Sequence, residues 1–259
     1  MTISNIRPYT PNRLYKYRSM TSMGIVDLFL SNEVYLSKVR DFDDPFESRP
    51  MLKIHDAKEE QIEYLIEITK EVFPNENANN IRMLVESQKH RLYDNKFLRN
   101  VYNNFIDKNG IYCLSENNND IILWSLYSNA HKGFCLEFNS SIEGTLFYEA
   151  LKVNYTEKYP IVNMMDMNNE NEVQKALLTK YNKWNNQEEW RIIKTEIEGG
   201  GGLYKFKPEL LTGIIFGALM EEKDKNTLIK YIEHYPIPIN LYQAQLNEKI
   251  YQIDIVSIT

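Results

Sequence analysis

The chain has 259 residues, 43% of them hydrophobic, which suffices for one large domain with a sizeable core. Its formal charge of -6 excludes a broadly basic surface that would wrap nucleic acid, leaving only a local basic cleft for such a ligand. No apolar run approaches the roughly 20 residues that span a bilayer, and residues 1–12 hold no apolar core of signal-peptide length, so a soluble cytoplasmic protein is expected.

Arg13, Leu14, Tyr15, Lys16, Tyr17 and Arg18 alternate and are rich in aromatics, which predicts a first strand. Ser19 or Thr21 would cap a helix over 22–30, closed by Asn32, with Ile25, Leu28 and Phe29 on one face. Residues 33–37 read as a second strand. The loop after it gathers Asp43, Asp44 and Glu47 around Pro45, with Phe42 and Phe46 as apolar anchors. Such carboxylates could ligate a hard cation, although the commoner use of Asp beside Pro is to build a turn.

Helical spacing of apolar residues follows over 58–73 and again over about 79–105. Lys89, His90, Arg91, Lys96 and Arg99 in the second stretch suit either a phosphate backbone or a solvated helix face. The two stretches form a helical insertion at about 56–108 in what otherwise reads as a single domain over 1–259.

Residues 110–138 form a unit: a strand through 111–114, a polar loop, a short helix over 120–128, and a strand at 134–138 after the turn His131, Lys132, Gly133. Trp124, Tyr127 and His131 fall near one helical face and, with Lys132 as a charge partner, suggest a wall for a flat, phosphate-bearing ligand. Taken singly, Trp124 and Tyr127 read as core aromatics. Cys113 and Cys135 sit in apolar strands as small hydrophobes, with no disulfide expected. His55, His90, His131 and His234 are too scattered for a zinc site, so no metal is assigned.

Further strands are expected at 150–155, 203–206, 210–217, 240–244 and 250–255, with helices at about 172–184 and 221–234. Gly199, Gly200, Gly201 and Gly202 lack phosphate-loop spacing and read as a flexible hairpin connection. The most concentrated chemistry lies over 183–193, where Trp184 and Trp190 flank Gln187, Glu188, Glu189 and Arg191. Strand alternation puts Gln187 and Glu189 on one face and Glu188 and Trp190 on the other, at the edge of a cleft. The alternative is a surface acidic turn with Arg191 as an ion-pair partner. Without regular strand-helix alternation, the class is α+β with a mixed or antiparallel sheet.

Four motifs in order resemble the bacterial domain-of-unknown-function family 2971: 14–18, 42–47, 123–127 with 131–133, and 183–184 with 189–191. The likeness runs from about Leu14 into the C-terminal strands. A more distant resemblance is to ADP-ribosyltransferase-like folds, which carry a basic residue on the first strand, an aromatic or hydroxyl-bearing middle segment and a late Glu-x-Glu or Gln-x-Glu. This chain departs from them in lacking a Ser-Thr-Ser triplet. The resemblance implies NAD as substrate, with Arg18 on its pyrophosphate. The middle-segment role falls on Ser37 or on Trp124, Ser125 and Tyr127, with Trp124 or Tyr127 stacked on nicotinamide; Tyr17, His131 and Lys132 complete the expected cofactor-binding set. Glu189 would stabilise the oxocarbenium-like charge, its loss reducing turnover far more than folding, while Gln187 orients a protein or nucleic-acid acceptor. It further implies an effector such as a toxin or anti-phage protein. A metal-dependent nuclease using Asp43, Asp44, Glu47 and Lys132, or a non-catalytic binding module, are the alternatives.

Overall fold

The computed structural model describes residues 11–22, 24–53, 62, 63, 65–67, 69, 70, 73–88, 95–166 and 169–258. In chain order, β1 (Arg13–Arg18), β2 (Glu33–Leu36) and β3 (Met51–Lys53) precede helices α1 (Ala78–Gln88) and α2 (Asn95–Ile106). Then come β4 (Gly110–Ser115), α3 (Ile121–Tyr127), β5 (Phe134–Asn139) and the short strands β6 (Leu151–Lys152), β7 (Asn154–Thr156) and β8 (Ile161–Asn163). Helix α4 (Glu170–Leu177), β9 (Thr179–Tyr181), β10 (Glu189–Lys194) and β11 (Gly202–Lys205) follow. The chain closes with β12 (Leu211–Phe216), α5 (Glu222–Glu233), β13 (Asn240–Leu246) and β14 (Ile253–Ser257).

Eight strands form one sheet in the order β14, β13, β12, β5, β1, β4, β10, β6. Only β12 and β13 run parallel within it, so the fold is α+β with a mixed sheet, as expected. Strand alternation sends side chains into a core on each face. On β5, Phe134, Leu136 and Phe138 enter one core and Cys135 the other. Leu228 of α5 and the turn bearing Leu28 and Phe29 cover the first face. The second face is covered by Leu123 and Trp124 of α3 against Tyr15 and Tyr17, and by Tyr102 of α2 and Leu177 of α4 against Ile111. Burying each large apolar side chain contributes about 1.5–3 kcal/mol, so these two cores hold the helices to the sheet.

Helix α3 starts where its sequence says it should. The Asp120 carboxylate accepts the Leu123 N–H at 2.7 Å, satisfying a donor that the first turn leaves unpaired. Asp120→Ala is expected to cost about 1 kcal/mol, read as a lower urea midpoint with an unchanged slope.

Three local expectations are corrected. The helix expected over 172–184 ends at Leu177: β9 pairs in parallel with β7 through Tyr155↔Lys180, and a 3-10 turn spans Asn182–Gln187. Thr179 and Tyr181 favour a strand there, and pairing with β7 outweighs the helical pattern. The glycine run is a tight passage and no flexible connection: Gly200 has φ +64°, and a Cβ on it would lie 2.3 Å from the Lys108 carbonyl oxygen. The helix expected over 79–105 falls into α1 and α2, on either side of 89–94, which lie outside the described residues with Lys89, His90 and Arg91. His55 and part of the 58–73 stretch lie outside them too, although residues 62, 63, 65–67, 69 and 70 are helical.

The feature that creates a site is a split in the main sheet. Strand β1 pairs with β5 along its whole length, and β4 with β10 along its whole length, yet β1 and β4 meet at only Tyr15↔Ser115. Toward the other end of β4, Ile111 exchanges both backbone hydrogen bonds with Ser37, just past β2. Between these two junctions the Lys16 ammonium donates to the Cys113 carbonyl at 2.8 Å, where a neighbouring strand would otherwise bond.

Candidate active-site cleft

The split opens into a cleft of roughly 1220 Å³ whose walls include Lys16 and Arg18 of β1, Tyr112 of β4, Tyr127 of α3, and Gln187 and Glu189 around the start of β10. Arg18 and the Gln187/Glu189 pair, far apart in sequence, therefore line the same cavity. Gln187 ends the 3-10 turn, and Glu188 then takes a left-handed backbone, φ +41°, which turns the chain into β10. Glu188 stays exposed while Gln187 and Glu189 are buried against the cleft. Trp190 packs on the opposite face and donates its indole N–H to Glu116 at 3.0 Å.

One wall of the cleft is a neutral, buried square of charges. Arg191 Nε donates to Glu189 Oε1 at 2.7 Å, and its Nη2 to Glu47 Oε1 at 2.8 Å. Lys180 Nζ lies 2.7 Å from Glu189 Oε2 and 3.2 Å from Glu47 Oε2. The Arg191 side chain is fully buried, and its Nη1 donates to the Leu177 carbonyl in the last turn of α4, the end of a helix that favours a cation. Burial by itself would raise the Glu189 carboxyl, but the Arg191 guanidinium and Lys180 ammonium outweigh it and hold it well below the usual carboxylate range. Burial likewise would lower Lys180, and the Glu189 and Glu47 carboxylates raise it instead. Glu189 is therefore an anion throughout the physiological range and no proton acceptor. Its two oxygens offer about four lone-pair positions, of which Arg191 and Lys180 occupy two. The expected ion-pair partnership of Arg191 exists, within the protein and not on its surface.

The remaining expected residues divide. Tyr127 lines the cleft half-exposed, its hydroxyl accepting from Gln187 Nε2 at 3.0 Å. Tyr17 lines it too, donates to the Asn117 carbonyl at 2.8 Å, and packs edge-on against Trp124. Ser37 is a lining residue through its place beside Ile111. Trp124 is not available for stacking on a ligand: it is fully buried, with its indole N–H on the Asn118 carbonyl at 2.9 Å. Ser125 and His131 bond each other at 2.9 Å, and neither they nor Lys132 line the cleft. Asn129, Ala130 and His131 all take positive φ, so this segment is a left-handed turn joining α3 to β5, outside the wall of this cleft. Cys135 is buried and Cys113 half-buried, both as free thiols.

Two of the three carboxylates of the acidic loop are also spoken for. Asp44 accepts the Phe46 N–H at 2.9 Å and the Trp184 indole N–H at 3.0 Å, tying the loop to the 3-10 turn. Both Glu47 oxygens face Arg191 and Lys180. Among the described residues, no group of three His, Cys, Asp or Glu side chains is placed to hold a metal ion. Asp44 thus helps to build the turn and Glu47 belongs to the ion-pair network, uses that compete with metal ligation.

Sequence reasoning missed Lys180, which it placed inside a helix, and it passed over Lys16 and Tyr112, polar groups in strands otherwise read as core. A lysine between Thr179 and Tyr181 was the available signal for a strand residue with an inward charge. No family model, curated protein or solved structure matches the chain. Among the described residues, no helix is long and apolar enough to cross a membrane.

Proposed function

We propose that the cleft binds NAD and that the protein is an ADP-ribosyltransferase-like enzyme, transferring ADP-ribose to a protein or nucleic-acid acceptor or to water. The observation that carries this reading is the convergence of Arg18 with Gln187 and Glu189 in one cavity large enough for a dinucleotide. The Arg18 guanidinium makes no ion pair among the described residues, which leaves its planar fork for the pyrophosphate. Nicotinamide would lie toward Tyr127 and Gln187.

The bond that breaks joins C1′ of the ribose to the nicotinamide nitrogen, and its electron pair leaves with nicotinamide. Glu189, ionised and fixed, faces the positive charge that develops at C1′. The acceptor's oxygen or nitrogen forms the new bond and releases its proton to solvent, since Glu189 is held in its anionic form. The resemblances carried by the sequence motifs, and not the cleft, extend the proposal to a role as an effector such as a toxin or anti-phage factor.

The test is incubation of purified protein with labelled NAD and cell lysate, following nicotinamide release and label in protein, RNA and DNA. Release is expected with wild type and to persist in excess chelator; release that a chelator abolishes would contradict the reading. A second reading is favoured by the two cations already on the Glu189 carboxylate, which compensate its charge. In that case the cleft binds its ligand without turnover, and the same assay shows a bound nucleotide with no nicotinamide released.

A further inference from the structure

The split between β1 and β4 holds polar groups that the fold does not use. Tyr112 is 2% exposed and is among the residues around the cleft, its buried hydroxyl has no hydrogen-bond partner in the protein, and Arg18 Nε is likewise buried and unpartnered. Leaving a buried hydroxyl unsatisfied costs about 1–3 kcal/mol, so a fold with no use for it would be better served by Phe. Lys16 lies with its ammonium 4.8 Å from the centre of the Tyr112 ring, and one of its three N–H groups is spent on Cys113. The Arg18 charge is close enough to Tyr112 to draw its hydroxyl down, although burial, the larger effect, pushes that hydroxyl up to about 12. Tyr112 thus remains a neutral donor beside two cations.

We infer that Lys16, Arg18 and Tyr112 form an oxyanion subsite inside the sheet split, built to take the diphosphate linkage of a dinucleotide. This rests on the reading above only in taking the anion to be a diphosphate. Four of the five carboxylates that line the cleft with Lys16 and Arg18 are already partnered, Asp43 being the fifth. Glu189, the carboxylate acting on Lys16, is already compensated by Arg191 and Lys180. Asp44 is held by Trp184, and Asp41 by the Lys38 N–H. Burial, with Arg18 beside it, lowers Lys16 to about 8 against the upward pull of Cys113, Glu189 and Cys135. An anion in contact with the ammonium would restore its proton.

The experiment uses ADP-ribose, whose diphosphate does not titrate near neutrality, in calorimetry at pH 8 in two buffers of different ionisation enthalpy. Wild type is expected to bind with net proton uptake, and Lys16→Met is expected to lose that uptake. Tyr112→Phe, which keeps the ring beneath Lys16, is expected to bind about tenfold or more weakly while unfolding no earlier than wild type without ligand. Absence of ADP-ribose binding to wild type, or equal affinity in Tyr112→Phe, overturns the subsite. Proton uptake that survives Lys16→Met overturns the part given to Lys16. Binding that behaves as expected with no nicotinamide release from NAD leaves the subsite standing and removes the enzyme. Release that Lys16→Met and Tyr112→Phe leave unchanged does the reverse.

Discussion

Glu189→Gln is expected to slow nicotinamide release by about 10²–10³-fold, the usual effect of removing one fixed charge or dipole aimed at a transition state. The buried square makes the comparison more demanding than the sequence suggested, because Glu189 also holds Arg191 and Lys180, and its loss costs stability as well as turnover. Rates must therefore be taken per folded molecule, from circular dichroism on the same samples. Glu47→Gln supplies the control: it removes the same charge from the same square. If both variants lose activity equally, Glu189 acts only by holding the wall in place, and its assignment to the reaction fails. A large loss in Glu189→Gln alone supports it.

Arg191→Met is expected to destabilise the fold by about 3–5 kcal/mol, measured by urea unfolding. The cost comes from what remains: two buried carboxylates, Glu47 and Glu189, facing the single charge of Lys180, and a Leu177 carbonyl without its donor. A loss below about 1 kcal/mol would show that water reaches the square and screens it as it does surface pairs. Acid should reveal the same network. The Glu189 carboxyl is held below its unfolded value of about 4.3, so its ion pairs contribute fully above that pH and are lost as pH falls beneath it.

The residues that read well from sequence were those whose neighbours in the chain settle their structure. β1 follows from alternation over 13–18, and α3 from Asp120 followed by apolar spacing. The pairing of Gln187 and Glu189 toward one cavity was legible as well, although a left-handed Glu188 produces it and not simple strand alternation. What stayed hidden depends on distant partners. Lys180 belongs to a strand because Tyr155 lies beside it, and Glu47 is an ion-pair partner because β10 brings Arg191 to it. The His131 turn carried ligand-like residue types, but its left-handed backbone turns Ser125 and His131 toward each other.

Strands at the rim of a sheet offer unpaired backbone groups to any passing chain, and proteins commonly discourage such additions with a lysine. Here two such rims face each other in the middle of the sheet, and Lys16 closes the gap by donating to the Cys113 oxygen. Replacing Lys16 with a small apolar residue would leave that oxygen without its donor, so the same side chain that borders the cleft also closes a backbone edge in the interior of the sheet.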